Sequence, residues 1–195
     1  MEFSDWKQFE ALLYSLSTIA LKDKKAAQLI SPASYIKGTT RANKNVTGWG
    51  KWAAVDVDDH DFKGDLKNEL FDRFGNWNYV CYSTASSTKD FPKFRLVFPL
   101  TAKVDEPRIK QFWWALNSEL GSIGDRQTKD LSRMYYIPAT YDNAYNFIFT
   151  NDGDYINPDA LINRHPMPQR SKTIFDGMPD TMRNAIMQYR ANSLT

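Results

Sequence analysis

Apolar positions along the chain follow two rhythms, and the switches between them predict the elements. Trp6, Phe9, Leu13 and Leu16 keep helical spacing and predict a helix over 4–21, with Ser4 as N-cap and Asp5 favouring the positive helix end. From 31 to 50 the pattern breaks at Pro32, Gly38, Gly48 and Gly50. Residues 51–57 then form a strand-like run that leads into Asp58, Asp59 and His60. Phe62, Leu66, Leu70 and Phe74 recur every four residues, which predicts a helix capped by Asp61 and stopped by Gly75. A strand follows at 79–84, then a hydroxyl-rich turn at 85–88. A half-exposed strand at 93–100 puts Lys93 and Arg95 on one face. Asp105, Glu106 and Pro107 open a helix bearing Ile109, Phe112, Trp113, Leu116 and Leu120, closed by Gly121. Residues 133–137 read as a last strong strand ended by Pro138, with a short edge strand at 147–149.

From 51 to 137 the order is strand, helix, strand, strand, helix, strand. The expected fold is α+β: an RRM-like (βαββαβ) antiparallel palm with both helices on one face and the other face open for a site. Residues 1–162 are expected to form one domain, with its palm core at about 50–140. Residues 163–178 read as a linker, carrying Pro166, Pro168, Arg164, Arg170 and Lys172. Residues 179–195 read as a short C-terminal helix, with Met182, Ala185, Ile186 and Tyr189 seeking a partner surface.

Composition narrows the picture. In 195 residues, 42% hydrophobic and 14% aromatic content suffices for one substantial core. A net charge of +2 gives no global basic field, so any nucleic-acid surface must be local. Cys81 is the single cysteine, which excludes an internal disulfide and fits a reducing compartment. Two histidines, His60 and His165, argue against a zinc site. No apolar run reaches membrane-spanning length and the N-terminus lacks a signal-peptide pattern, so the expected location is the cytoplasm, that of the host if the gene is a phage's.

The candidate chemistry begins at Asp56 and Asp58, which strand alternation puts on one face with Val57 turned inward. Two carboxylates so held repel unless a cation lies between them, and Mg²⁺ takes one or two carboxylates with substrate phosphates. The alternative is a strand running into a solvated acidic turn. Lys93 and Arg95 share the sheet face, and the segment at 124–133 brings Asp125, Asp130 and Arg133 toward it. The polar, basic stretch at 39–45 suits a loop over phosphates, but reads more simply as surface. Trp49 and Trp52, which flank the strand and could stack on a base, read more simply as core; one of Trp113 and Trp114 reads as buried and the other as an interface residue, and one of Tyr135 and Tyr136 reads as core with the other facing the site.

Three blocks together resemble the catalytic domain of archaeo-eukaryotic primases, in particular the primase-polymerases of phages and plasmids. They are 55–59, 82–88 with 92–100, and 123–125 with 130–138. The resemblance implies an N-terminal α/β unit, supplied by residues 1–50, beside the palm. It implies template-directed nucleotidyl transfer with Asp56, Asp58 and Asp125 holding two Mg²⁺ or Mn²⁺ ions, and Asp59 and Asp130 as supporting or alternative acids. Lys93, Arg95 and Arg133 would neutralise the triphosphate, and Ser86, Ser87 and Thr88 would donate to its oxygens. Ser87 stands where many relatives carry a histidine, so the chain has a neutral donor there. The implied partners are a single-stranded DNA template, a dNTP or NTP, and a replicative helicase, fused or separate. Two other readings remain: a non-catalytic single-strand binder, and a metal-dependent nuclease, which lacks the paired histidines of a relaxase-type site.

Overall fold

The computed structural model describes residues 5–125, 130–168, 179–182 and 184. In chain order the elements are α1 (Trp6–Ser17), β1 (Ala20–Leu21), β2 (Leu29–Ile30), β3 (Ala33–Tyr35), β4 (Val46–Trp49), β5 (Trp52–Val57), α2 (Leu66–Phe74), β6 (Tyr79–Ser83), β7 (Phe94–Pro99), β8 (Val104–Asp105), α3 (Ile109–Glu119), β9 (Tyr135–Tyr136), β10 (Thr140–Tyr141), β11 (Ile148–Asn151) and α4 (Pro158–Arg164). The central antiparallel sheet has the order β11-β6-β7-β5. Its register sets Asp56 opposite Arg95, Arg95 opposite Tyr82, and Tyr82 opposite Ile148. Opposed residues share a face, so these four form one row across the sheet.

Alternation gives the sheet two apolar faces. Ala53, Val55 and Val57 of β5, Cys81 of β6, and Phe94, Leu96 and Phe98 of β7 pack with Leu70 and Phe74 of α2 and Phe112 and Leu116 of α3. Helices α2 and α3 therefore lie on one face of the sheet. Ala54, Val80, Tyr82 and Val97 point the other way and pack against Trp6, Phe9 and Leu13 of α1, with Tyr135. The face expected to be open is thus half covered by the N-terminal helix. Buried apolar rows on both faces explain why β6 and β7 are buried throughout.

The fourth strand departs from the expected palm. Residues 135–136 pair antiparallel with β2 in a separate two-stranded sheet, and the fourth strand of the central sheet is β11, on β6. The segment before β9 is held away from the edge of β5 by the N-terminal residues. Trp49 Nε1 donates to the Leu131 carbonyl at 2.8 Å, Arg41 Nε donates to the Ser132 carbonyl at 3.0 Å, and Ser132 donates its amide to Asn43 Oδ1 at 3.0 Å. Ser31 Oγ donates to the Arg133 carbonyl at 2.7 Å. Arg41 and Asn43 of the 39–45 loop thus hold backbone.

Helix starts also differ. The N-cap of α1 is Asp5, whose side chain accepts from Gln8, while Ser4 lies outside the described residues. The N-cap of α2 is Asp65, accepting from Asn68, and Glu69 takes the amides of Lys63 and Gly64. Asp61 pairs instead with Arg73 at 2.8 Å. Helix α4 continues to Arg164, into the stretch read as linker, and Asp180–Met182 is helical, while the rest of 169–195 save Pro179 and Asn184 lies outside the described residues. Among the described residues no helix is long and apolar enough to cross a membrane.

Candidate functional site

At the end of the sheet where β5 and β6 run out, a cleft of about 200 Å³ is walled by Asp56, Asp58, Tyr82, Thr84, Ser86, Arg95, Arg133, Tyr136 and Tyr141, with Lys24 from the N-terminal unit. A second cleft, between α2 and β11, is lined by Lys67, Phe71, Tyr79 and Phe149 and offers no carboxylate.

Asp56 is the buried centre of the first cleft, 7% exposed. Arg95 Nε donates to Asp56 Oδ1 at 2.5 Å, and Arg133 Nη2 lies 3.4 Å from Asp56 Oδ2. Arg95 is itself 5% exposed. Its Nη1 donates to the Tyr82 hydroxyl at 3.1 Å and to the Tyr136 carbonyl, and its guanidinium lies over the Tyr135 ring. Burial opposes its charge, but the neighbouring Tyr82 and Asp56 outweigh it and drive the Arg95 pKa upward, so it stays cationic. Burial pushes the Tyr82 and Tyr135 phenols up, so both stay neutral donors, with Tyr135 bonded to the Ala54 carbonyl at 2.8 Å.

Asp58 is exposed and lines the cleft two residues beyond Asp56. Asp125 arrives from the loop after α3, and its amide donates to the Asp56 carbonyl at 2.8 Å. Gly124 permits that approach. A Cβ at Gly124 would lie 2.5 Å from both Val55 Cγ1 and Asn117 Oδ1, and Asn117 already accepts the Gly124 amide at 2.9 Å. The glycine lets the loop press against β5.

The other sequence candidates separate. Ser86 lines the cleft, with its hydroxyl 3.3 Å from that of Thr84. Ser87 is 1% exposed and its Oγ accepts the Lys93 amide at 3.1 Å, so it shapes the turn and is not placed to donate to a phosphate. Thr88 closes the same turn on Phe91, and neither Thr88 nor the half-buried Lys93 lines the cleft. Arg95, expected to meet a triphosphate, is committed to Asp56, Tyr82 and Tyr136. Arg133 pairs with Asp56, while Asp130 accepts from Ser132 Oγ at 3.4 Å. Asp59 is exposed beside Asp58. Of Tyr135 and Tyr136, one of which was expected to face the site, Tyr136 does so, while sequence reasoning missed Lys24, Tyr82 and Tyr141. Alternation along β6 places Tyr82 on the Arg95 face, but nothing local marks Lys24, which the fold brings in.

Three carboxylates are hard oxygen donors suited to Mg²⁺ or Mn²⁺, and the backbone brings Asp125 against Asp56. Both Asp56 oxygens, however, face guanidinium groups. Among the described residues no group of three or more His, Cys, Asp or Glu side chains is gathered as a cation cage. The chemistry and the backbone fit; in the side-chain arrangement Asp56 is neutralised by Arg95 and Arg133.

No curated protein matches the chain. Among solved structures, the AEP domain of the primase-polymerase (PrimPol) of cyanophage S-2L is similar at a TM-score of 0.46 and 16% identity, over 65% of each chain. Residues 32–172 match the family model of the VapE N-terminal domain. That span holds β5, β6, β7, the cleft acids and Arg133, and the chain belongs to the VapE N-terminal domain family, a primase-like domain of phages and plasmids.

Proposed function

We propose that the chain is the nucleotidyl-transfer unit of a primase-polymerase, extending a strand on a single-stranded DNA template from a dNTP or NTP. The observation that supports this reading is the bond from the Asp125 amide to the Asp56 carbonyl, which joins the backbones of the third and first sequence blocks beside a cleft lined by Asp56, Asp58 and Arg133. Asp56, Asp58 and Asp125 would hold the cations. Bound there, divalent ions would supply an activated primer hydroxyl and charge neutralisation at the triphosphate.

The protein's own groups divide the remaining work. Arg95 orients the Asp56 carboxylate, and Tyr82 and Tyr136 fix Arg95. Arg133 and Lys24 furnish positive charge where the triphosphate would lie, and Thr84 and Ser86 offer hydroxyl donors on the facing wall. The test is extension of a labelled primer on a single-stranded template with Mn²⁺ and dNTP or NTP. Wild type extends the primer and Asp58→Ala does not; full extension by Asp58→Ala refutes the assignment.

One observation favours a second reading, a non-catalytic binder of nucleotide or single strand. Both oxygens of Asp56 already face arginines. Template binding without extension in the same assay supports that reading, whereas cleavage of the template supports a nuclease. A helicase partner belongs to the proposal only through the family resemblance.

A further inference from the structure

The two arginines that neutralise Asp56 are held very differently. Arg95 is buried, bonds Oδ1 at 2.5 Å, and is fixed further by Tyr82 and the Tyr136 carbonyl. Withdrawing it would strand a buried charge. Arg133 has a side chain 27% exposed and stands 3.4 Å from Oδ2, near the outer limit of a hydrogen bond. Its Nε is buried and has no hydrogen-bond partner among the described residues. Its backbone is anchored, since Ser31 Oγ donates to its carbonyl at 2.7 Å. The head group is therefore loosely seated on a fixed stem, with one donor unsatisfied.

We propose that Arg133 is the exchangeable counter-ion of Asp56: it rests against Oδ2 while no divalent cation is bound, and turns to a substrate phosphate when a cation takes that oxygen. The inference rests on the cation-binding reading of the acids given above. A guanidinium offers its Nε and a terminal nitrogen as a fork to two oxygens of one anion. Asp56 uses one arm of the Arg133 fork; a phosphate would satisfy both. Lys24, Thr84 and Ser86 line the same cleft, so an anion there meets a second cation and two hydroxyls. Cation binding and nucleotide binding would then be coupled through one side chain.

The test is Mn²⁺ binding to the full chain without nucleotide, followed by the electron paramagnetic resonance signal of free Mn²⁺. Arg133→Gln removes the competing charge, so Mn²⁺ should bind about two- to fivefold more tightly, the worth of a partly exposed ion pair. With Mn²⁺ saturating, a non-hydrolysable dNTP should bind at least about tenfold more weakly to that variant by calorimetry, as expected for a lost bidentate contact. Arg133→Lys, which keeps the charge and loses the fork, should leave Mn²⁺ affinity near wild type and still weaken the nucleotide. Unchanged circular dichroism confirms that both variants fold. Mn²⁺ binding to wild type and Arg133→Gln with equal affinity, or more weakly to the variant, overturns the exchange alone. Absence of Mn²⁺ binding in every protein overturns the cation reading and the exchange together.

Discussion

Asp56 lies on β5 and Asp58 just past its end, yet their removal has different consequences. Asp56 is buried against Arg95, so Asp56→Ala leaves a guanidinium uncompensated in the interior and should cost about 3–5 kcal/mol by urea denaturation. Arg95→Ala should cost about as much, for the reciprocal reason. Asp58 is exposed, and Asp58→Ala should stay within about 0.5 kcal/mol of wild type while losing primer extension. It is therefore the cleaner probe of function. Gly124 makes a further residue-scale prediction. Gly124→Ala drives a methyl against Val55 and Asn117, and should cost about 1–3 kcal/mol while moving Asp125 off β5. Weaker Mn²⁺ binding in that variant would accompany the stability loss; unchanged stability would show that the loop has room.

At the scale of elements, α4 is fastened to α3 through Glu119. His165 Nε2 lies 2.6 Å from Glu119 Oε2, Arg164 Nη1 lies 2.8 Å from Oε1, and Trp77 Nε1 donates to Oε1 at 3.2 Å. Burial alone would raise the Glu119 pKa, but the bonds from His165 and Arg164 outweigh it and the net shift is downward. A carboxyl whose folded pKa is depressed stabilises the fold above its unfolded pKa, about 4.3, and that stabilisation fades as pH falls toward the folded value. Protection factors of the α4 amides, which divide out the acid slowing of intrinsic exchange, should fall below about pH 4. Glu119→Gln should show the lower protection already at neutral pH; undiminished protection in the variant at pH 7 would contradict the clamp. The spacing of Leu66, Leu70 and Phe74 made α2 legible, and that of Ile109, Phe112 and Leu116 did the same for α3. The cap of α2 was not, because Asp61 and Asp65 are chemically equivalent and only the fold gives Asp61 to Arg73. Residues 133–137 carry strong strand propensity, but propensity does not name a partner. Their partner is β2, whose two residues give no periodic signal.

Across the whole molecule, the N-terminal unit completes the site from a distance. Trp49, Arg41, Asn43 and Ser31 hold residues 131–133, and so set where the Arg133 stem leaves the backbone. Asn43→Ala removes the acceptor for the Ser132 amide and should cost about 1 kcal/mol. It should also weaken nucleotide binding through a displaced Arg133, without touching any cleft wall; equal nucleotide affinity by calorimetry would contradict this linkage. The preference for Asp125 over Asp130 came from the family resemblance, but the nearness of Asp56 and Asp58 was legible because they stand two residues apart at the end of β5. The buried commitment of Arg95 was not, because alternation gives a residue's face and not its depth: α1 covers part of that face only through Trp6, Phe9 and Leu13, which local spacing identifies as core without naming what they cover. If Asp56, Asp58 and Asp125 serve one cation site, titration of ¹⁵N-labelled protein with substoichiometric Mn²⁺ reveals it, because the ion's paramagnetism broadens nearby amide resonances. The predicted result is that the amides of residues 56, 58 and 125 broaden in wild type and recover in both Asp58→Ala and Asp125→Ala; broadening that persists unchanged in Asp125→Ala would contradict it.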